Sequence, residues 1–147
     1  MPVPPRILVV DDSIVVREIL TFILRQVQEI KGAAIDQAGN GAVALNKLRA
    51  QRYDLVLSDI RMPYLDGLGL VRAIRNELAD RVTPVILIST LGSEEDVRRG
   101  LEAGASAYLL KPLTPRDIVG ALREFFDRRR DAAANGPANE TPPRPKA

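Results

Sequence analysis

Asp11 and Asp12 stand side by side, Asp59 ends the apolar run Leu55-Val56-Leu57, and Ser89 and Lys111 follow two further runs, Val85 to Ile88 and Ala107 to Leu110. Carboxylates can hold a divalent cation or attack as nucleophiles. A hydroxyl and an ammonium can receive the oxygens of an anionic group. Three acids in one pocket, in a chain without histidine, repel one another and raise their own pKa values unless a cation offsets the charge. Magnesium suits such a site, because it favours oxygen ligands and keeps several waters. With a lysine and a hydroxyl alongside, phosphoryl is the natural substrate group, and an Asp nucleophile would give an aspartyl phosphate. The plainer alternative for Asp59 alone is that it caps the next segment. What decides is whether the chain brings these residues together.

The elements that must do so alternate regularly. Ile7 to Val10 reads as a buried strand ending on Asp11-Asp12, and Ser13 caps a helix with Ile14, Val16, Ile19, Leu20, Ile23, Leu24 and Val27 at helical spacing, closed by Gly32. Ala33 to Ala38 is a weaker strand, Gly39-Asn40-Gly41 a turn, and Val43, Leu45 and Leu48 mark a short helix. Leu55 to Leu57 is continuously apolar, as expected of a parallel strand covered on both faces. Pro63 and Asp66-Gly67 supply turn chemistry after it. Leu68, Leu70, Val71, Ile74 and Leu78 make a third helix. Val85 to Ile88 is a fourth strand, and Ser93 to Gly104 a helix with a capping-box start and a glycine stop. Ala107 to Leu110 is a fifth strand, and Thr114-Pro115-Arg116-Asp117 opens a last helix carrying Ile118, Val119, Leu122, Phe125 and Phe126. The expectation is an α/β fold, a parallel sheet with helices on both faces. Parallel strands place Asp11-Asp12, Asp59, Ser89 and Lys111 on one sheet edge, and a doubly wound order that makes the first and third strands neighbours gathers the acids.

Composition bounds what else is possible. At 147 residues the chain is one domain with room for a core, and it has no cysteine and no histidine. Disulfides, thiol chemistry, histidine acid–base catalysis and the usual zinc sites are excluded. No run reaches the ~18 apolar residues of a membrane helix, and the first residues lack the apolar stretch of a signal peptide, so a cytoplasmic location without membrane insertion is expected. Residues 1–127 carry 16 basic and 17 acidic residues, −1, whereas 128–147 carry five basic and two acidic, +3. The folded part therefore has no basic bias for nucleic acid. The domain is expected over 6–128, with 129–147 a disordered basic tail rich in Pro and Ala.

With Asp11-Asp12, Asp59 followed by Met62-Pro63-x-x-Asp66-Gly67, Ser89, Tyr108 and Lys111-Pro112 in order, the chain resembles the receiver domain of two-component response regulators, from about Arg6 to Phe126. In extent it is similar to the stand-alone chemotaxis type. The resemblance implies a flavodoxin-like fold, five parallel strands in the order 2-1-3-4-5 with five helices. It implies that Asp59 accepts phosphoryl from the phosphohistidine of a sensor histidine kinase, with Mg2+ held by Asp11, Asp12, Asp59 and the backbone carbonyl of Arg61. Lys111 and Ser89 would bind phosphoryl oxygens, and Ser89 and Tyr108 would form the switch. A cis peptide at Lys111-Pro112 would aim the lysine over the site, at a cost of ~0.5–1 kcal/mol. The output would be the surface of the fourth helix, fifth strand and fifth helix, acting on a downstream protein, as a monomer or a phosphorylation-dependent dimer. On this reading the chain is no enzyme beyond its own phosphorylation and slow autodephosphorylation.

The chain departs from the family at Thr90, where a small residue is usual, and at Arg61 and Leu91, positions that tune phosphoryl lifetime. Alternatives within the family are a phosphate sink, or the receiver fragment of a multidomain regulator; a receiver-like adaptor that works without phosphorylation is a third. A haloacid-dehalogenase phosphohydrolase would need Asp-x-Asp after the first strand. A Rossmann module would need a glycine-rich first turn, where this chain has Asp11-Asp12-Ser13.

Overall fold

The computed structural model describes residues 4–134, with side chains through Phe125. In chain order these are β1 (Arg6–Val10), α1 (Ile14–Arg25), a 3-10 turn (Gln28–Ile30), β2 (Ala34–Ala38), α2 (Gly41–Ala50), β3 (Leu55–Asp59), α3 (Gly67–Asn76), β4 (Val85–Ser89), α4 (Glu94–Ala103), β5 (Ala107–Leu110) and α5 (Pro115–Ala134). The strands form one parallel sheet in the order β2-β1-β3-β4-β5. That is the doubly wound order expected, and it makes β1 and β3 neighbours.

The strands' alternation divides the core in two. Leu8, Val10, Val56 and Leu87 face α2 and α3, packing with Leu45, Leu70, Val71 and Ile74. Ile7, Val9, Leu55, Leu57, Ile86 and Ile88 face the other way, against Leu20, Leu24, Ile118, Leu122 and Phe125 of α1 and α5. Each of these apolar side chains contributes ~1.5–3 kcal/mol by leaving water, and the three central strands, apolar on both faces, take the covered positions of the sheet. Edge strands β2 and β5 are only partly buried.

Helix starts follow the side chains at the caps. Ser13 accepts from the Val16 amide, Ser93 from Asp96, and Thr114 and Asp117 bond each other's amides reciprocally. Asn40 accepts from Val43 and Asp66 from Gly69, so each is a helix cap rather than only a turn residue. Gly32 does not close α1. The helix ends at Arg25, Val27 turns extended, and the 3-10 turn follows; Gly32 sits beyond it at φ +83°. This break keeps Val27 and Ile30 buried on the face that holds Leu24. Helix α5 runs on to Ala134, so 129–134 are helical in backbone, and the rest of the expected tail, 135–147, lies outside the described residues. Among the described residues, no helix is long and apolar enough to cross a membrane.

Candidate functional site

Asp59 is the last residue of β3, and the chain returns tightly beneath it. Its Oδ1 accepts from the Ile60 amide at 2.8 Å, and the Gly67 amide donates to the Ile60 carbonyl at 2.8 Å. A Cβ at position 67 would stand 2.3 Å from the Asp59 carbonyl oxygen. Only glycine permits this approach of α3's first residue to the strand end.

Asp11 and Asp12 leave β1 next door. The Asp11 amide donates to the Ala38 carbonyl at 3.1 Å, and its Oδ1 accepts from the Ser13 amide at 2.9 Å. Asp11 is buried, Asp59 half-buried and Asp12 exposed; each offers a carboxylate oxygen, and these oxygens lie within 4.8 Å of one another. Burial raises the Asp11 pKa above 3.8, the Ser13 hydrogen bond pulls it back, and Asp59 adds repulsion that Lys111 partly relieves. The net shift is upward, with burial as its largest cause.

Lys111 reaches the cluster from the end of β5. The Lys111-Pro112 peptide is cis, as expected, and Nζ lies 3.5 Å from both Asp11 Oδ2 and Asp59 Oδ2. Its amide donates to the Ser89 carbonyl at 2.9 Å. Ser89 is buried, and its Oγ accepts from the Leu91 amide at 3.0 Å. The Tyr108 hydroxyl donates to the Leu91 carbonyl at 2.6 Å, so strand β5 is tied to the same loop that Ser89 holds. Burial raises the Tyr108 pKa, and the neighbouring Ser89 hydroxyl opposes the shift. The ring lies over Gly100 of α4, where a Cβ would come within 2.8 Å of it.

The residues singled out from the sequence thus fall into two adjoining groups. Asp11, Asp12, Asp59 and Lys111 converge directly, and Ser89 and Tyr108 share the Leu91 backbone. Arg61 stands two residues past Asp59 with its side chain in solvent. The donor set of the cluster is all carboxylate oxygen, which fits a hard divalent cation such as magnesium and offers nothing to a soft one. Sequence reasoning missed Arg17, whose guanidinium donates to the Asp11 carbonyl at 2.6 Å. Its only sequence signal is position, on the first turn of the helix that follows the acid pair.

Known proteins resemble this chain over most of its length. The family model of the response regulator receiver domain matches residues 7–123. A gliding motility regulatory protein of Myxococcus xanthus is 42% identical over 106 residues, 72% of this chain and 13% of that protein. The transcriptional regulatory protein ResD of Bacillus subtilis is 40% identical over 123 residues, 84% of this chain and 48% of that protein. The chain therefore spans about half the length, or less, of these two curated relatives. Chemotaxis protein CheY4 of Vibrio cholerae superposes with a TM-score of 0.75 at 30% identity, covering 84% of this chain and 99% of that one. These names range over motility, transcription and chemotaxis, so the likeness establishes a family and leaves the process open.

Proposed function

The chain belongs to the response regulator receiver domain family, and from this we propose that it is a phosphorylation switch whose acceptor is Asp59. The observation that carries the reading is the convergence of Asp11, Asp12, Asp59 and Lys111 on the C-terminal edge of the sheet. A carboxylate oxygen of Asp59 attacks the phosphorus of a kinase phosphohistidine. The P–O bond to Asp59 forms as the P–N bond breaks, and the imidazole leaves. Asp11 and Asp12, with Asp59 and the Arg61 carbonyl, would hold magnesium, which supplies charge compensation between carboxylates and phosphoryl oxygens. Lys111, already 3.5 Å from Asp59, pairs with one phosphoryl oxygen. Ser89 offers its hydroxyl to another, leaving its bond to the Leu91 amide, and Tyr108 follows because its hydroxyl is tied to the same residue. The changed surface is α4, β5 and α5.

The partner supported by the surface is a protein. Ile14, Val15, Ile19 and Phe22 of α1 are each more than half exposed, and the stripe begins two residues after Asp12. An apolar helix of the phosphodonor seated there brings its phosphohistidine to Asp59. The near-neutral charge of residues 1–127 favours a protein target over nucleic acid, and a cytoplasmic setting follows from a kinase donor.

The test is incubation with magnesium and phosphoramidate, followed by intact mass. One phosphoryl group is expected on the wild type and none on Asp59→Asn or in the presence of chelator. Labelling that survives Asp59→Asn would sink the assignment.

A further inference from the structure

Arg17 is held in an unusual way for a charged side chain beside an acidic cluster. It forms no bridge to the carboxylates of that cluster; its NH1 donates to the Asp11 backbone carbonyl at 2.6 Å, and its Nε donates to Gln37 Oε1 at 3.1 Å. Gln37, on β2, is anchored in turn, its amide nitrogen donating to Thr21 Oγ1 at 3.1 Å and Glu18 Oε1 at 3.3 Å. The guanidinium is therefore fixed from two directions, by a strand and by the carbonyl where the neighbouring strand ends.

That carbonyl matters because it belongs to the peptide plane joining Asp11 to Asp12. β1 ends at Val10, so beyond it the sheet no longer dictates how this plane is turned. Asp11 is buried with its carboxylate on the Ser13 amide, but Asp12 is exposed, and its backbone is what aims it. A charge-assisted hydrogen bond as short as 2.6 Å is among the stronger kind. Holding the carbonyl limits rotation of the plane, and with it the direction of the Asp12 Cα–Cβ bond.

We infer that Arg17 is a positioning residue: by clamping the Asp11 carbonyl against Gln37 it aims Asp12 at Asp11 and Asp59, and so sets the affinity of the cluster for a divalent cation. The inference rests on the acceptor-site reading above for its use in signalling. Loss of a group that orients a metal ligand typically weakens binding ~10–100-fold, and the lower end applies to a clamp that acts through backbone.

The experiment is calorimetric titration of the full chain with magnesium alone, at constant ionic strength, paired with thermal melts of the metal-free proteins. Arg17→Met should weaken magnesium binding about tenfold with little change in melting. Arg17→Lys, which keeps a cationic donor for the carbonyl, should recover most of the loss. Gln37→Leu, which removes the anchor and leaves the charge, should weaken binding by a smaller factor. If Arg17→Met does not fold, Arg17→Lys and Gln37→Leu carry the comparison. Magnesium affinity untouched in the folded variants overturns the inference. A loss in Arg17→Met with none in Gln37→Leu overturns the clamp against Gln37, because loss of a neighbouring positive charge alone would strengthen magnesium binding. A wild type that binds no magnesium overturns the reading of the site together with this inference, so the two failures are distinguishable.

Discussion

At the scale of single residues, the positions that bear on the lifetime of the proposed acyl phosphate at Asp59 are Arg61, Thr90 and Leu91. Leu91 spends both backbone groups on the Ser89–Tyr108 connection and presents an apolar side chain that cannot orient water. Arg61 is exposed, and a guanidinium offers donors but no acceptor, so it cannot serve as a base. Thr90 adds bulk between them in the chain. Loss of phosphoryl from Asp59 needs a water placed in line with the breaking bond, and none of the three supplies that placement. Autodephosphorylation is therefore expected to be slow, with the phosphorylated form persisting for minutes or longer. Following the decay by intact mass checks this, with Leu91→Gln and Arg61→Asn expected to shorten it. Decay within seconds in the wild type, unchanged by either substitution, would remove these positions from control of the water.

At the scale of elements, Gly67 shows how a helix start and a strand end share one space. A methyl group there meets backbone, the Asp59 carbonyl and the Ile60 Cα, which no side-chain rotation can move aside. Gly67→Ala should cost ~1–3 kcal/mol of stability and slow phosphoryl uptake, because the strand end carrying Asp59 must shift. Urea unfolding and the initial rate of labelling measure both; an unchanged rate at reduced stability would detach this packing from the chemistry. Much of this level was legible from residue order. Strand ends could be read because apolar runs stop abruptly at Asp11, Asp59, Ser89 and Lys111, and neighbouring β1 and β3 follow from a doubly wound order. The contribution of Arg17 was not, since a side chain bonded to a backbone carbonyl leaves no pattern of residue types. Asn40 and Asp66 passed as turn residues because a cap and a turn use the same amino acids. Gly32 misled for a similar reason: a glycine at positive φ ends a 3-10 turn as readily as a helix.

At the scale of the whole molecule, chemistry and stability sit on opposite edges of the sheet. Arg75 is buried near the end of α3, at the edge away from Asp59. It donates to the carbonyls of Gly104, Asp80 and Thr83 at 2.9, 3.0 and 2.8 Å, and its NH2 reaches Ser106 Oγ at 3.4 Å. It joins α3, the end of α4 and the approaches to β4 and β5. Burial pulls its pKa below the ordinary guanidinium value, partly opposed by Asp80, yet a guanidinium this well bonded stays charged. In the sequence it looks like any helix-surface arginine. Arg75→Met keeps the apolar stem but orphans three part-buried carbonyls, each costing ~1 kcal/mol, the low end of the range for a lost partner. A total loss of about 3 kcal/mol is expected by chemical denaturation, with the rate of labelling at Asp59 unchanged while the protein stays folded. A matching fall in that rate would show that the two edges are coupled.

The hydroxyl bond from Tyr108 to Leu91 also has an optical consequence. The chain has three tyrosines and no tryptophan, so beyond the weak phenylalanine bands its near-ultraviolet spectrum is a record of phenols alone. Tyr53 is buried at the far edge, its hydroxyl donating to Asp36 at 2.6 Å, and burial with that carboxylate pushes its pKa up to about 12. Tyr64 stands 90% exposed, already surrounded by water. Tyr108 is the chromophore whose surroundings are built by the loop after Ser89, and movement of that loop is written into its absorbance and emission without any label.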